Sequence, residues 1–171
     1  VGGANWGGAA VDPETGIIYI PSVTSPNVVA LEPPDPDISD FNFVRGLPRE
    51  VSMPQGLPIL KPPYGRITAI DLNTGNHVWM KPNGPGPIDH PLLEDMDLPW
   101  LGQRGRPAPL LTKTLLVLGE GSGGALSILP IAGGPAFRAW DKQTGEVIWE
   151  TELEAGTSGA PMTFMIDGKQ H

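Results

Sequence analysis

Apolar and polar residues alternate in short runs along much of the chain, and two of these runs share a skeleton. RITAIDLNTGNHVW, residues 66–79, and FRAWDKQTGEVIW, residues 137–149, both read Ala, one residue, Asp, two residues, Thr, Gly, three residues, Trp. Before each Asp the chain alternates as a half-buried strand does, through Ile67 and Ala69 in one copy and Phe137 and Ala139 in the other. After each Gly it resumes, through Val78 in the first copy and Val147 and Trp149 in the second. The stretches between, Asp71 to Gly75 and Asp141 to Gly145, have turn chemistry. An Asp carboxylate accepts from backbone amides two or three residues on, and glycine takes the positive φ that closes a type I turn with a bulge. Each copy therefore predicts an antiparallel hairpin.

A third turn of this kind, Asp12-Pro13-Glu14-Thr15-Gly16, is followed by the strand-like IIYIPS, but Ile20 stands where the Trp would fall. LLTKTLLVLGEG fits another hairpin without Trp, bending at Thr112, Lys113 and Thr114. In order, hairpins are expected over 5–23, 65–82, 107–119 and 136–152, with a further strand from about 159. Hairpins ending in Trp alternate with hairpins that do not, and pairing neighbours gives two four-stranded antiparallel units and the opening of a third. That is the signature of a β-propeller. The expected fold class is all-β, with about two to three propeller blades in residues 1–171. Trp79 and Trp149, each late in its strand, are expected to wedge against a neighbouring sheet in concert with Asp71, Gly75, Asp141 and Gly145, a structural role.

Two proline-rich stretches, 24–64 and 82–107, carry no sustained period. They are expected to be extended loops packed on a propeller face, not domains, and loops of such length often lie near a site. The 23 glycines and 21 prolines suit turns between many short strands. The chain opens on Val1 and closes on His171 just after the strand-like PMTFMIDGKQ, which reads as a segment of a longer polypeptide.

The net charge of −8 lacks the clustered Lys and Arg that nucleic acid requires, so nucleic acid is not an expected partner. Without cysteine there are no disulfides, thiolate metal sites or Cys nucleophiles. No apolar run approaches the ~20 residues of a membrane helix, and any targeting segment would lie upstream.

Several local patterns imitate other chemistries. Gly119-Glu120-Gly121-Ser122-Gly123-Gly124 is a formal GxGxxG after the apolar TLLVL, with Asp141 at a suitable distance for a ribose. Dinucleotide binding needs a helix starting at those glycines, and Pro130, Gly133, Gly134 and Pro135 break any helix there, so a strand-to-strand loop is the better reading. Ser158 in GTSGA lacks the helix of a nucleophile elbow, since PMTFMI reads as a strand. His77, His90 and His171 have no ligand spacing to one another. Glu94, Asp95 and Asp97 form a carboxylate run of the kind usually found on a solvated surface. Asn5 and Trp6, in GGANWGGAAVD, differ from these: an amide and a large flat ring sit among small residues that let a ligand approach closely, although a turn Asn and a core Trp would read the same.

The doubled Ala, Asp, Thr, Gly, Trp skeleton resembles the tryptophan-docking motif of the quinoprotein dehydrogenases, which carry pyrroloquinoline quinone (PQQ) on an eight-bladed propeller. GGANWGGAAVDPETGIIYIPS, GRITAIDLNTGNHVW, the PLLT and LLVLGEG pair, FRAWDKQTGEVIWE and GTSGAPMTFMIDGKQH follow one another in that family's order, and together cover nearly the whole chain outside the inserts. The resemblance implies PQQ on the propeller axis beside a divalent cation, usually Ca²⁺. It also implies an Asp base that takes the substrate hydroxyl proton as a hydride passes to the quinone. By the match, Asn5 hydrogen-bonds the quinone with Trp6 beside it, and Arg106, in Gly105-Arg106-Pro107, stands where the chain again nears the cofactor. The base and the cation ligands lie upstream in this family, so neither a catalytic residue nor a metal ligand is expected within the 171 residues. The segment alone is expected to be inactive and, with blade faces uncovered, poorly stable.

The resemblance implies a periplasmic enzyme oxidising an aldose or polyol, with an alcohol as the other substrate class. A quinone or cytochrome would accept the electrons, and a preceding segment could associate with the inner membrane. A reading from another class is a non-catalytic propeller scaffold, such as an outer-membrane assembly factor. Asn5 and Trp6 and the long inserts speak for the enzyme.

Overall fold

In the computed structural model, which describes residues 3–4, 7–46, 49–122 and 133–171, the Asp-x-x-Thr-Gly stretches close as their chemistry demands. The Asp71 carboxylate accepts from the Asn73 amide at 2.8 Å and the Thr74 hydroxyl at 3.1 Å. That of Asp141 accepts from the Gln143 and Thr144 amides at 2.8 and 2.9 Å. Gly75 and Gly145 take φ of 74° and 69°, a region side chains resist, and their amides reach back to the Asp71 and Asp141 carbonyls. These amide bonds hold both carboxyls below the ordinary carboxylate range.

The strands are β1 (Ala10–Asp12), β2 (Ile17–Val23), β3 (Asn27–Val28), β4 (Leu31–Glu32), β5 (Val44–Arg45), β6 (Arg49–Glu50), β7 (Gly65–Asp71), β8 (His77–Pro82), β9 (Leu110–Leu111), β10 (Leu115–Gly119), β11 (Ala136–Asp141), β12 (Val147–Glu152), β13 (Met165–Ile166) and β14 (Lys169–Gln170). β1-β2-β7-β8 form one four-stranded antiparallel sheet and β9-β10-β11-β12 a second in the same sense. These are the two predicted blades. The first hairpin starts at Ala10, inside the expected span. The strand expected from about 159 starts only at Met165, as a small hairpin of β13 with β14.

Both Trp-bearing hairpins carry a register shift, between Ala69 and Ile70 and between Ala139 and Trp140. Ala69 opposes Trp79 while Ile70 opposes His77, which leaves Val78 as the extra residue. Val78 was expected to continue the apolar face. The bulge turns it out to solvent and puts Trp79 beside Ala69 instead.

Between the blades, Tyr19, Ile67 and Ala69 of the first sheet meet Leu116, Leu118 and Trp140 of the second in one buried cluster. The inserts divide in behaviour. Stretch 82–107 packs against the first blade: Asn83 N–H donates to Gly65, Gln103 N–H to Asn83, and Tyr64 N–H to Leu101, whose side chain is buried. Stretch 24–64 returns to the first sheet at its end, where Lys61, Pro62 and Pro63 share a groove with Ile20, Thr68 and Met80, while its middle carries short ladders of its own. β3 pairs with β6 and β4 with β5, so its backbone groups are satisfied within a narrow arm. Its base is tied by Arg66, which donates to the Thr24 hydroxyl at 2.7 Å and the Pro63 carbonyl at 3.2 Å. Its tip leaves Ile38, Phe41 and Phe43 exposed. The inserts touch through His90: Leu92 N–H donates to Nδ1 at 3.1 Å, which leaves Nε2–H to donate to the Gln55 carbonyl at 2.9 Å. Among the described residues, no helix is long and apolar enough to cross a membrane.

Candidate functional site

The hairpin directions sort the chain into two ends. The tight turns at 12–17, 71–77, 112–114 and 141–147 share one end. The connections 24–64, 82–109 and 120–135 leave from the other. β1 runs toward the turn end, so the residues before it approach from the loop end, where Ala4 bridges to Ser22. Asn5 and Trp6 themselves lie outside the described residues. Their neighbours show where that segment runs: a Cβ added to Gly7 would stand 2.7 Å from the Pro107 carbonyl oxygen, and Gly3 shares a cleft with Pro21, Ser22, Val23, Gly105, Arg106 and Pro107. The two stretches singled out for the cofactor, one around Asn5 and one around Arg106, therefore adjoin.

Arg106 is half-buried, and its Nε is shielded from solvent with no hydrogen-bond partner. A shielded guanidinium donor without an acceptor suits an anionic group arriving from outside the chain. The cleft itself holds about 10 Å³. The cleft is too small to hold a large ligand by itself.

Behind this cleft lies an ionic network that sequence reasoning missed. Arg138 is 2 % exposed and pairs with Glu120, 3 % exposed, at 2.8 Å. Its Nε donates to Glu150, and its guanidinium stacks 4.7 Å from the Trp100 ring centre. Buried Asn83 donates through Nδ2 to the Gly119 carbonyl at 3.0 Å. The available signal was an Arg in the middle of AFRAW, on the same face as Trp140, where an apolar residue belongs. Glu120 belongs to the GxGxxG imitation; its amide donates to Ala136 at 3.0 Å and extends the ladder between β10 and β11. Residues 123–132 of that loop lie outside the described residues. Glu94, Asp95 and Asp97 are exposed, as a solvated run should be.

At the turn end the blades are clasped. Trp79 donates its indole N–H to the Lys142 carbonyl at 3.1 Å, and its ring covers Gly145, where an added Cβ would come within 2.7 Å of the ring. The Lys142 ammonium meets Asp12 of the first blade at 2.6 Å, both side chains buried. Lys81 meets Glu146 at 2.6 Å on the surface, a pair worth little by itself. Asp71 and Gly75 form the same turn with nothing docked on it among the described residues, and Trp149 is 52 % exposed. Among the described residues, no segment covers that face of the second blade.

Asp12 is held down to about 2, first by the hydrogen bond from Lys142 and then by that from Thr15. A carboxyl depressed in the folded state adds stability above its unfolded value of about 4 and loses it as pH falls toward 2. Asp12→Asn should lower the melting temperature at pH 7, and the gap to the unmodified chain should close as both are titrated from pH 4 to 2. An equal gap at pH 7 and pH 2 would mean the carboxylate is not what holds the blades there.

Comparison with known proteins agrees with this architecture. Residues 1–171 match the family described as PQQ, glucose/ethanol/alcohol dehydrogenase, beta-propeller domain. The quinoprotein glucose dehydrogenase of Escherichia coli is 30% identical over 97% of this chain, and that of Gluconobacter oxydans 28% over 97%. The glycerol dehydrogenase large subunit of Gluconobacter thailandicus is 28% identical over 99%. The chain spans only 22%, 23% and 25% of the lengths of these relatives. A solved quinohemoprotein alcohol dehydrogenase from Pseudomonas putida superposes with a TM-score of 0.60 at 19% identity, over 98% of this chain and 21% of that one, a likeness of fold. With paired four-stranded blades, one Trp clasp between them and a family match from end to end, the chain belongs to the PQQ-type glucose/ethanol/alcohol dehydrogenase β-propeller family.

Proposed function

We propose that this chain forms part of the propeller of a PQQ-dependent dehydrogenase that oxidises an aldose or polyol hydroxyl. The observation that carries the reading is the adjacency, at the loop end, of the Asn5 segment and Arg106 within a chain that matches the family over its full length. Relatives named for glucose and glycerol favour the sugar and polyol branch. The solved structure named for an alcohol keeps alcohols as the second class.

Bound PQQ would supply a two-electron acceptor for the hydride of the oxidised carbon. The chain's own part is to hold and orient. Asn5 would donate its amide to the quinone, Trp6 would give a flat apolar wall, and Arg106 would offer its unsatisfied donor to an anionic group of the cofactor. This reading assigns the proton-accepting Asp and the ligands of Ca²⁺ to other parts of the propeller. It places the enzyme in the periplasm, with a quinone or cytochrome as electron acceptor and membrane association through another segment.

The test uses a full-length protein containing this chain. Glucose, glycerol and ethanol are compared as reductants of a dye, with and without added PQQ and Ca²⁺; turnover is expected only with both. Titration of PQQ by tryptophan quenching should show Asn5→Ala weakening binding by about tenfold, the loss of one well-placed hydrogen bond. Wild-type PQQ affinity in that variant would remove Asn5 from the site. Reduction of dye by the metal-free and quinone-free protein would remove the function.

A further inference from the structure

At the loop end, three stretches of backbone are stacked with no side chain between them. A Cβ added to Gly7 would stand 2.7 Å from the Pro107 carbonyl oxygen, and one added to Gly105 would overlap the Glu120 carbonyl oxygen. Gly121, at φ 80°, bears on the same stretch, where its added Cβ would stand 2.6 Å from the Pro107 nitrogen. The segment that carries Arg106 therefore lies between the one that follows Asn5 and the one that carries Glu120. Contacts this close leave no slack, so a displacement of Glu120 and Gly121 reaches Arg106 directly.

Glu120 is the fixed point of the stack. Its amide donates to the Ala136 carbonyl at 3.0 Å, the Gly119 carbonyl before it accepts from the buried Asn83 side chain at 3.0 Å, and the Gly121 carbonyl after it accepts from Gly134 N–H at 3.2 Å. The Glu120 side chain pairs with Arg138 at 2.8 Å while Gly84 and Gly134 close on its carboxylate. Arg138 stands in mid-strand on β11, steadied by Glu150 and by the Trp100 ring. A buried ion pair adds little stability over an apolar pair of the same volume, and its best attested use is to select one geometry. Here the carboxylate ties the loop to a single point on β11, which an apolar side chain of the same size would not do.

We propose that Glu120 is a positioning residue for Arg106: through its pair with Arg138 it sets how closely the Arg106 guanidinium meets the anionic groups of the cofactor. The inference rests on the reading that this loop end receives PQQ. Arg106 Nε is shielded and has no hydrogen-bond partner, so its aim depends on the backbone that carries it. Electrostatics alone predicts the opposite sign of effect. A carboxylate near the cleft repels an anionic cofactor, and loss of its charge would tighten binding. Weaker binding when Glu120 is neutralised is therefore the mark of lost position.

The test is a double-mutant cycle on a full-length protein containing this chain, with PQQ titrated by tryptophan quenching and the PQQ-free protein melted under circular dichroism. Glu120→Gln keeps the volume and removes the charge. It should weaken PQQ binding about tenfold when Arg106 is present and no more than about twofold in the Arg106→Ala background, because it acts through that side chain. A purely structural loss would lower affinity equally in both backgrounds. Arg138→Lys, which keeps a buried cation beside Glu120, is carried through the same cycle in case Glu120→Gln folds poorly, and should show the same dependence on Arg106 with smaller amplitude. Unchanged or tighter PQQ binding in a variant that melts above the assay temperature, or equal losses with and without Arg106, would overturn the inference. A wild-type protein that binds no PQQ would remove the proposed function with it. PQQ binding indifferent to Arg106→Ala would remove Arg106 and Glu120 from the site and leave that function standing.

Discussion

Replacing Arg138 with leucine lowers stability by about 3–5 kcal/mol, the cost typical of leaving one member of a buried ion pair without its partner. Glu120 is shut in at 3 % exposure, with Gly84 and Gly134 packed against its carboxylate so closely that neither could carry a Cβ. With the guanidinium gone, that buried carboxylate loses the cation it is paired with. The Trp100 ring also loses the cation lying 4.7 Å from its centre. The measurement is urea unfolding followed by circular dichroism, on the chain at concentrations where it is monomeric. A second variant separates charge from packing: Glu120→Gln in the Arg138→Leu background should recover a large part of the loss, because it removes the unpaired charge at nearly constant volume. A cost below about 1 kcal/mol for Arg138→Leu, or no recovery in the double variant, would show that the network is incidental.

Trp79→Ala is expected to cost about 2–4 kcal/mol, near the range for truncating a large aromatic side chain in a core. It uncovers Gly145, removes the ring contact with Tyr19 and leaves the Lys142 carbonyl without its indole donor. Trp149→Ala, chemically the same change in the same motif, should shift dilute monomer stability by no more than about 0.5 kcal/mol. The contrast between the two tryptophans is the measurement. Equal losses would mean that Trp79 acts within its own blade and not between blades.

The fold was legible because its grammar is local. Asp71, Thr74 and Gly75 make a turn from their own side chains, and so do Asp141, Thr144 and Gly145; four hairpins and their pairing into two blades follow from counting turns. The phase of the face after each turn was less legible. The bulge opposite Ala69 inserts Val78 and moves Trp79 inward, and a period-two reading has no means of counting an extra residue. The short ladders within 24–64 were illegible for a related reason. Proline density marks the absence of long regular strands, but two-residue ladders such as Asn27–Val28 with Arg49–Glu50 escape any periodic search. Arg106 and the segment carrying Asn5 were drawn to one place by resemblance, and the contact of Gly7 with Pro107 brings those segments together. Arg138 and Glu120 were illegible because their meaning depends on each other, and seventeen residues of chain, including a loop, separate them. Asp12 and Lys142, farther apart still, illustrate the same limit.

The division of the blades into a turn end and a loop end has an evolutionary reading. The seven-residue strand β2 sets the ends about 20 Å apart at ~3.3 Å per residue. Substitutions that alter what the loop end recognises leave the Asp, Thr, Gly and Trp arrangement at the opposite end untouched, and the reverse also holds. On the proposed function, ligand preference and the joining of blades can drift under separate selection, with the connections rewritten while the rules for joining blades stay as they are.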